Sequence, residues 1–287
     1  MGAKTYYLKN ATNIGIYQVD DKNVYLIDTG NDKDAGKKIL KIMSEKGWQV
    51  KGIINTHSHA DHIGGNQVIQ ERTGCPVYGN GVEQCFTEYP ILESSLLYGG
   101  CPFSGIRNKF LLAKESKVTT VTDNLPTGLS CLPLSGHAMA MIGVKTSDNV
   151  VFLGDALFSA ETIAKYHIFY LYDVGAFLET LDQLASLEGD LFIPSHGAAT
   201  DDLQNLIKIN RDKVHEISNF IYQYCHTART FETILRALLE HYHLTMDATQ
   251  FVLIGSTVRS YLTYLCDNGK LQYDFRDNQM LWIQNQI

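Results

Sequence analysis

Short apolar runs separated by polar turns occupy the first two hundred residues of the chain. Residues 13–19 and 24–30 are two such runs joined by an Asp-Asp-Lys-Asn turn, a pattern that predicts paired strands. Further runs of the same kind predict strands at residues 53–54, 76–79, 118–121, 129–134, 150–153 and 191–194. This part of the chain is therefore expected to be rich in sheet.

Apolar residues at helical spacing separate several of these runs. They predict helices at residues 32–47, 61–72 and 178–184. In the first helix Ile39, Leu40 and Met43 share one face, and Gly74 is expected to stop the second.

Two segments lack a clean period. Residues 86–117 mix aromatic, glycine and basic residues, which is typical of a lid or binding loop, although an ordinary helical insertion explains the composition equally well. Residues 156–172 are rich in aromatic side chains. We interpret this second segment as one wall of a binding site, in which Tyr166 and His167 contact substrate, with ordinary packing of the aromatic residues as the alternative.

The last eighty-odd residues are helical in pattern and end in a hairpin. Predicted helices at residues 202–224, 231–239, 247–253 and 257–267 precede paired strands at residues 270–273 and 280–283. Three short helices followed by a hairpin resemble a winged helix. We therefore predict a main domain at residues 1–202 and a small winged-helix-like domain at residues 203–287.

The composition is that of a soluble globular protein. The chain has 287 residues, of which 45% are hydrophobic, and no apolar run approaches the ~20 residues of a membrane helix. The N-terminus lacks the apolar region of a secretory signal, so a cytoplasmic protein without a membrane partner is expected. The six cysteines form no CxxC pair, which favours reduced packing residues, and the net charge of −7 argues mildly against nucleic acid as the main partner.

The strongest chemical signal follows the apolar run at residues 53–54. His57, His59, Asp61 and His62 place three imidazoles and one carboxylate within six positions. A short strand leading into such a loop holds metal ligands in place. His57 and His59 can reach one ion, whereas Asp61 and His62 lie further round the loop and can reach a second one.

Three other apolar runs also end in a residue that can bind a metal. These residues are His137, Asp155 and His196. A single histidine after a strand is more often structural, and a Gly-Asp pair is usually a turn. However, chance would rarely supply these residues in this order at successive strand ends. The pattern predicts a site for two divalent ions, and His and Asp ligands favour Zn²⁺, although Fe and Mn²⁺ accept the same set.

The pattern His57-x-His59-x-Asp61-His62, followed by His137, Asp155 and His196, resembles the metallo-β-lactamase superfamily over roughly residues 10–200. The resemblance implies an αββα sandwich, in which two sheets lie face to face with helices outside and the site lies at one sheet edge. It also implies a division of the ligands: one ion held by His57, His59 and His137, the other by Asp61, His62 and His196, with Asp155 bridging.

Other positions match or depart from the family. Asp28 matches a residue that supports the ligand loop from behind. Ala138-Met139-Ala140 replaces the Thr/Ser-Pro-Gly that often follows the third-strand histidine, which leaves the wall near His137 undefined. Ala60 stands where the oxygen-reducing diiron relatives have Glu, and no flavin-binding domain follows, so that redox branch is discounted.

The leading hypothesis is a hydrolase of the glyoxalase-II-like branch that cleaves a small ester, thioester, lactone or phosphoester through a metal-bound hydroxide. In this hypothesis Asp61 both binds an ion and orients or deprotonates the water. The alternative is a metal-dependent RNA or DNA phosphodiesterase. That nuclease alternative would be favoured by a basic groove built from Arg107, Lys109, Lys114 and Lys117.

A ligand-sensing winged-helix regulator is the third hypothesis. The predicted helix at residues 257–267 carries only Arg259 and Asp267 as charged residues, and residues 228–287 hold more acidic than basic side chains. DNA-binding surfaces usually need clustered positive charge. We therefore expect the C-terminal segment to pack, to close the pocket or to form a homodimer.

Overall fold

A computed structural model of the protein describes residues 4–121 and 125–285. Its first sheet has six strands in chain order: β1 (Thr5–Leu8), β2 (Ile14–Gln18), β3 (Asn23–Ile27), β4 (Gln49–Ile54), β5 (Val77–Gly79) and β6 (Val118–Thr120). Strands β1 to β3 pair antiparallel, and β3 to β6 pair parallel. Parallel pairing brings the carboxyl ends of β3, β4 and β5 to one edge.

The second sheet has four strands: β7 (Leu129–Pro133), β8 (Ile142–Thr146), β9 (Val150–Gly154) and β10 (Leu191–Pro194). They lie in the order β10-β9-β8-β7, and β9 and β10 run parallel. The sequence pattern did not predict β8, because Gly143 and Lys145 interrupt its apolar run. Gly143 is suited to the centre of the sheet, since an added Cβ would lie 2.7 Å from the Leu134 side chain.

Ten α-helices accompany the sheets within the described residues. They are α1 (Lys33–Lys46), α2 (Ala60–Ile63), α3 (Asn66–Thr73), α4 (Glu83–Glu88), α5 (Ile91–Tyr98), α6 (Ala160–Tyr166), α7 (Val174–Ala185), α8 (Gln204–Tyr224), α9 (Phe231–His241) and α10 (Ala248–Asp267). A third, small sheet near the C-terminus contains β11 (Arg229–Thr230), β12 (Leu271–Arg276) and β13 (Gln279–Gln284), with β13 in the middle.

Three apolar cores hold the layers together. The core between the two sheets contains Tyr17 and Ile54 from the first sheet and Phe152 from the second. A second core packs α1 and α3 on the outer face of the first sheet. The third and largest core joins the outer face of the second sheet to α7 and to the C-terminal helices. This layering confirms the predicted αββα sandwich.

The predicted helix at residues 61–72 is in fact two helices, α2 and α3, separated at Gly64-Gly65. The chain passes there against the loop that follows β3. A Cβ on Gly64 would lie 2.3 Å from the Asn31 carbonyl carbon, and one on Gly65 would lie 2.6 Å from the Thr29 carbonyl oxygen. This close approach of two backbones explains the break. Gly74 ends α3 in a left-handed conformation, as predicted.

Residues 86–117 form a helical insertion. Helices α4 and α5 and a 3₁₀ turn at Ser104–Ile106 account for most of its regular structure. Leu97, Ile106 and Leu111 form a small buried cluster with Val252 of α10. The insertion is therefore anchored to helix α10. Of the two alternatives for this segment, the ordinary helical insertion matches the structure.

The prediction of two separate helices at residues 247–253 and 257–267 was wrong, because α10 runs unbroken across both. A glycine in an exposed helix lowers the stability of the helix by only ~1 kcal/mol relative to Ala. Gly255 lies between the buried residues Ile254 and Val258, which pack this part of the helix into the core. With one helix in place of two, the winged-helix interpretation is not confirmed. Among the described residues, no helix combines the length and apolar character needed to cross a membrane.

Phe177 tests the largest core. It is fully buried on α7, and its ring lies 5.8 Å from that of Phe169. We expect Phe177→Ala to lower the free energy of unfolding by about 3–5 kcal/mol, because the cavity would not collapse completely. Urea-induced unfolding would measure the loss. The matched control is Phe110→Ala, which removes a ring that is 67% exposed and should change stability by no more than about 0.5 kcal/mol. Equal losses in the two variants would contradict this assignment of the core.

Candidate metal centre

The structure brings all seven predicted ligands to one edge of the sandwich. The loop after β4 carries His57, His59, Asp61 and His62, and the turns after β7, β9 and β10 carry the other three: His137, Asp155 and His196. Four strand ends meet here because β4 and β9 belong to the two facing sheets. The topology therefore places side chains far apart in sequence around a single point.

Three imidazoles form the first group. The Nδ1 atom of His59 lies 3.0 Å from the Nε2 atom of His57 and 2.9 Å from that of His137. The three nitrogens belong to three rings whose planes are steeply inclined to one another, at 74° to 87°. Such convergence of ring nitrogens is the arrangement that three histidine ligands adopt around one divalent ion.

Asp61, His62 and His196 form the second group. The Oδ2 atom of Asp61 lies 3.1 Å from His196 Nε2 and 3.6 Å from His62 Nε2. Asp155 lies between the groups, since its Oδ2 is 3.4 Å from both His137 Nε2 and His196 Nε2. Its Oδ1 is 3.3 Å from His62 Nε2. One carboxylate thus faces nitrogens of both groups.

Two buried atoms at this point lack a hydrogen-bond partner among the described residues: His62 Nε2 and Asp155 Oδ1. Leaving a buried polar atom unpaired costs roughly 1–3 kcal/mol, so such atoms are usually satisfied by a group that binds there. An imidazole nitrogen and a carboxylate oxygen that face each other are ligands for a divalent metal. The donor set therefore fits the predicted ions.

Most of the histidine rings are held from behind through their second nitrogen. The Nδ1 atom of His137 donates to the Tyr170 carbonyl, and that of His196 donates to the Ala11 carbonyl, both at 2.9 Å. A carbonyl accepts only, so each Nδ1 carries a proton, and in the neutral ring that binds a metal each Nε2 presents a lone pair to the centre. The outer hydrogen bonds fix the tautomer that a metal ligand needs.

Asp28 holds the ligand loop where the resemblance places it. It is buried, and its carboxylate accepts from the backbone N–H and the hydroxyl of Thr56 and faces His62 Nδ1, each at 2.8 Å. Its φ of 61° lies in the left-handed region, which is uncommon for a residue other than glycine. These contacts offset the strain and fix both ends of the loop.

Burial and neighbouring charges divide the histidines into two kinds. Burial lowers the pKa of His59 to about 4 and that of His137 to about 3, and together with His62 it holds the pKa of His57 well below its usual value. These rings are neutral at pH 7, as ligands must be. Burial also opposes charge on His62 and His196, but nearby carboxylates outweigh it. Asp61 and Asp155 raise the pKa of His62 well above its ordinary value, and Asp155 and Asp61 raise that of His196 to about 12.

The two predicted substrate contacts lie further along the wall. The Tyr166 side chain is exposed and its hydroxyl contacts Lys165, and the His167 ring stacks on Tyr242 at 5.0 Å. The aromatic residue of this segment beside the ligands is Tyr170, whose ring lies 5.3 Å from His59 and 5.6 Å from His137. No signal in the sequence distinguishes Tyr170 from its aromatic neighbours. Substrate contact by Tyr166 and His167 stays a prediction.

Two buried glutamates beside the site had not been predicted. Glu83 on α4 accepts from the backbone N–H and the hydroxyl of Ser58 through Oε2, and from Ala140 N–H through Oε1. It therefore joins the ligand loop to the segment after His137. Glu93 on α5 lies near His59, and burial, with Glu83 nearby, raises the pKa of Glu93 to about 8. A single Glu in a short helix resembles a surface residue in the sequence, and only the fold shows it to be buried.

A cleft of about 420 Å³ lies between α5, residues 172–175 and α10. Leu96 and Tyr172 line both this cleft and a small cavity next to His59. The cleft and the small cavity are therefore neighbours across these two side chains. The cleft has the size of a small-molecule site.

The sequence model of the metallo-β-lactamase superfamily matches residues 9–196, a range that includes every predicted ligand. A lactamase-like protein, aptB, of Emericella nidulans is 25% identical over 209 residues, which is 68% of this chain and 57% of that protein. A hydroxyacylglutathione hydrolase of a Polaromonas species is 27% identical over 172 residues, 58% of this chain and 56% of that enzyme. The chain thus spans little more than half the length of these relatives.

Solved structures share the fold. A metallo-β-lactamase family protein from Thermus thermophilus superposes with a TM-score of 0.72 over 98% of both chains, at 17% identity. A β-lactamase domain protein from Burkholderia ambifaria gives a TM-score of 0.73 over 95% of this chain and 87% of that one, at 14% identity. At such identities the likeness shows the architecture alone, and in the Thermus protein it extends over the C-terminal helices as well.

Glu83→Ala tests the link between the two ligand segments. The change leaves the Ser58 and Ala140 N–H groups without their acceptor, at roughly 1–3 kcal/mol each. We therefore expect a loss of about 2–6 kcal/mol in the free energy of unfolding, measured with urea. The control is Glu115→Ala on the exposed surface, which should stay within about 0.5 kcal/mol of the unmutated protein. A Glu83→Ala protein as stable as the control would show that the link contributes nothing.

Proposed function

Because the chain belongs to the metallo-β-lactamase superfamily, we propose that it is a metal-dependent hydrolase of a small ester, thioester, lactone or phosphoester. The observation that carries the proposal is the meeting of buried ligand atoms at one sheet edge. Above all, His62 Nε2 and Asp155 Oδ1 have no hydrogen-bond partner among the described residues, although they face each other at 3.3 Å.

The proposed ligands fall into the two groups described above. One ion would be held by His57, His59 and His137, and the second by Asp61, His62 and His196, with Asp155 bridging. The distances of Asp155 to nitrogens of both groups support this division. We propose Zn²⁺ as the ion, since nitrogen-rich sets with carboxylates suit it, and Fe or Mn²⁺ as the alternatives.

When bound, two divalent ions lower the pKa of a shared water from about 16 toward 7 and polarise the substrate oxygen. Asp61 is the ligand best placed to handle the proton of that water. Its side chain is 38% exposed, whereas that of Asp155 is 6% exposed. Thr12 Oγ1 donates to Asp61 Oδ2 at 3.0 Å, which orients the carboxylate and leaves Oδ1 to accept from the water.

The chemistry of the relatives and the shape of the cleft favour acyl transfer to water. The Polaromonas relative is named for hydrolysis of an acylglutathione. The cleft of about 420 Å³, which shares Leu96 and Tyr172 with the small cavity next to His59, suits the non-reacting part of a small acyl substrate. Helix α10 lines this cleft, so we propose that the C-terminal segment closes the pocket. Arg259 supports a packing role for this helix, because its guanidinium lies 3.8 Å from the centre of the Phe231 ring.

The nuclease alternative depends on a basic groove in the insertion. Lys109 Nζ lies 3.6 Å from Asp32, and Arg107 Nε donates to the Pro102 carbonyl. Two of the four proposed cations are thus engaged within the chain. A phosphate backbone would have to compete with these contacts, so we rank cleavage of RNA or DNA below acyl hydrolysis.

Metal content and hydrolysis together test the proposal. We expect near two divalent ions per chain by mass spectrometry, and hydrolysis of a generic thioester or lactone in preference to a phosphodiester. His137→Ala should lose one ion and at least about a hundredfold in kcat/KM, because it removes a ligand.

The control for this test is His226→Ala. It removes an exposed histidine whose Nδ1 bonds to the Gln223 carbonyl, and it should leave both readouts unchanged. Fewer than two ions after metal is added back would overturn the two-ion assignment. Hydrolysis of phosphodiesters alone would support the nuclease instead.

The cleft predicts a separate effect on substrate binding. Leu96 lines both the cleft and the cavity beside His59, so Leu96→Trp should obstruct a substrate bound there and raise KM several-fold, with a smaller effect on kcat. Leu92→Trp is a matched control, because Leu92 lies one turn earlier on α5 with nearly the same exposure, 40% against 39%. Steady-state kinetics on the substrate found above would measure both. Equal KM values for the two variants would place the substrate elsewhere.

A further inference from the structure

Glu93 lies directly behind the first histidine group. Its Oε1 atom is 3.5 Å from His59 Nε2. On the opposite side of the same ring, His59 Nδ1 faces the nitrogens of His57 and His137. The ring therefore presents one nitrogen to the proposed ion and the other to the glutamate.

Each of the other four histidine rings already has a group behind it. His57 Nδ1 has the Thr56 hydroxyl at 3.1 Å, and His62 Nδ1 has Asp28. His137 and His196 have backbone carbonyls, as described above. Glu93 is the group that occupies the corresponding position behind His59, so it completes the set.

Glu93 is a buried carboxyl beside His59. Glu93 is only 8% exposed, and burying a carboxyl that has no partner costs free energy of folding. The other buried glutamate, Glu83, is engaged with Ser58 and Ala140. The imidazole of His59 lies within ion-pair distance of Glu93, and Glu83 and Tyr170 line the same small cavity.

We propose that Glu93 is the positioning residue for His59: its Oε1 accepts the Nε2–H and so aims the Nδ1 lone pair at the first ion. The inference rests on the metal centre proposed above. A ring that binds metal through Nδ1 carries its proton on Nε2, and an acceptor there fixes the ring and increases its basicity. Oε1 can accept this hydrogen bond whether or not the carboxyl is ionised.

The position of Glu93 gives the helical insertion a role in metal binding. Glu93 lies on α5, and the next residue, Ser94, bonds to the Ile106 and Leu111 carbonyls of the same insertion. Leu97 then packs against Val252 of α10. The insertion and the C-terminal helix together therefore hold the carboxyl behind His59.

The test is metal affinity, measured on metal-depleted protein by competition between Zn²⁺ sites and a chromophoric chelator. Loss of a group behind a ligand typically costs ten- to a hundredfold in affinity. We expect Glu93→Ala to lower the affinity for one of the two ions by about that factor and to leave the affinity for the other ion nearly unchanged. Glu93→Gln keeps an acceptor oxygen of the same reach and should lie closer to the unmutated protein than to Glu93→Ala.

Ser95→Ala is the control, since its hydroxyl donates at the surface to the Ile91 carbonyl of the same helix and the change does not touch His59 or the bonds that hold Glu93. Thermal unfolding of each metal-free variant checks that it folds. In the Co²⁺-loaded protein, the proton NMR spectrum should show a paramagnetically shifted, slowly exchanging His59 Nε2–H. That signal should disappear by solvent exchange in Glu93→Ala and persist in Ser95→Ala.

The outcomes separate the two proposals. An unmutated protein that binds fewer than two ions would overturn the metal centre itself. Two ions bound with equal affinity by the unmutated protein and Glu93→Ala would overturn the role of Glu93 alone. A Glu93→Gln protein as weak as Glu93→Ala would also overturn it, because the acceptor oxygen would then not be the feature that matters.

Discussion

The hydrogen bonds accepted by Asp28 are the constraint on which the ligand arrangement depends. Asp28 follows β3, and its carboxylate reaches across to the start of the ligand loop at Thr56 and to its end at His62. Burial of a carboxylate is costly unless donors surround it. Here the donors belong to the loop itself, so the same contacts that make the buried charge tolerable also fix the loop.

The candidate ligands could be predicted from the sequence more completely than the shapes of the helices around them. Metal-binding side chains stand directly after apolar runs, so both the strands and the ligand candidates were visible at His57, His137 and His196. The break at Gly64-Gly65 and the continuity of α10 were not visible, because each depends on what packs against the segment. Glu93 could not be predicted for the same reason: its burial arises from α5, in the stretch with no clean period.

The C-terminal segment is joined to the rest of the protein by a shared core. Residues of α8, α9 and α10 belong to the same buried cluster as α7 and the outer face of the second sheet. Helix α10 also meets the insertion through Val252 and lines the cleft. The division of the chain near residue 202 stays a prediction, but these contacts show that the first part does not bury its apolar surface alone.

The proposed ligands come from positions 57 to 196, and the Ala11 carbonyl that accepts from His196 lies 185 residues away from it in sequence. Contacts between distant parts of a chain form slowly, because a long loop must close before they stabilise anything. The two sheets must each form and then meet before all the ligand atoms converge. An ion could therefore be bound by the full set of ligands only after folding is complete. A nascent or partly folded chain would contain only part of the set in the right place.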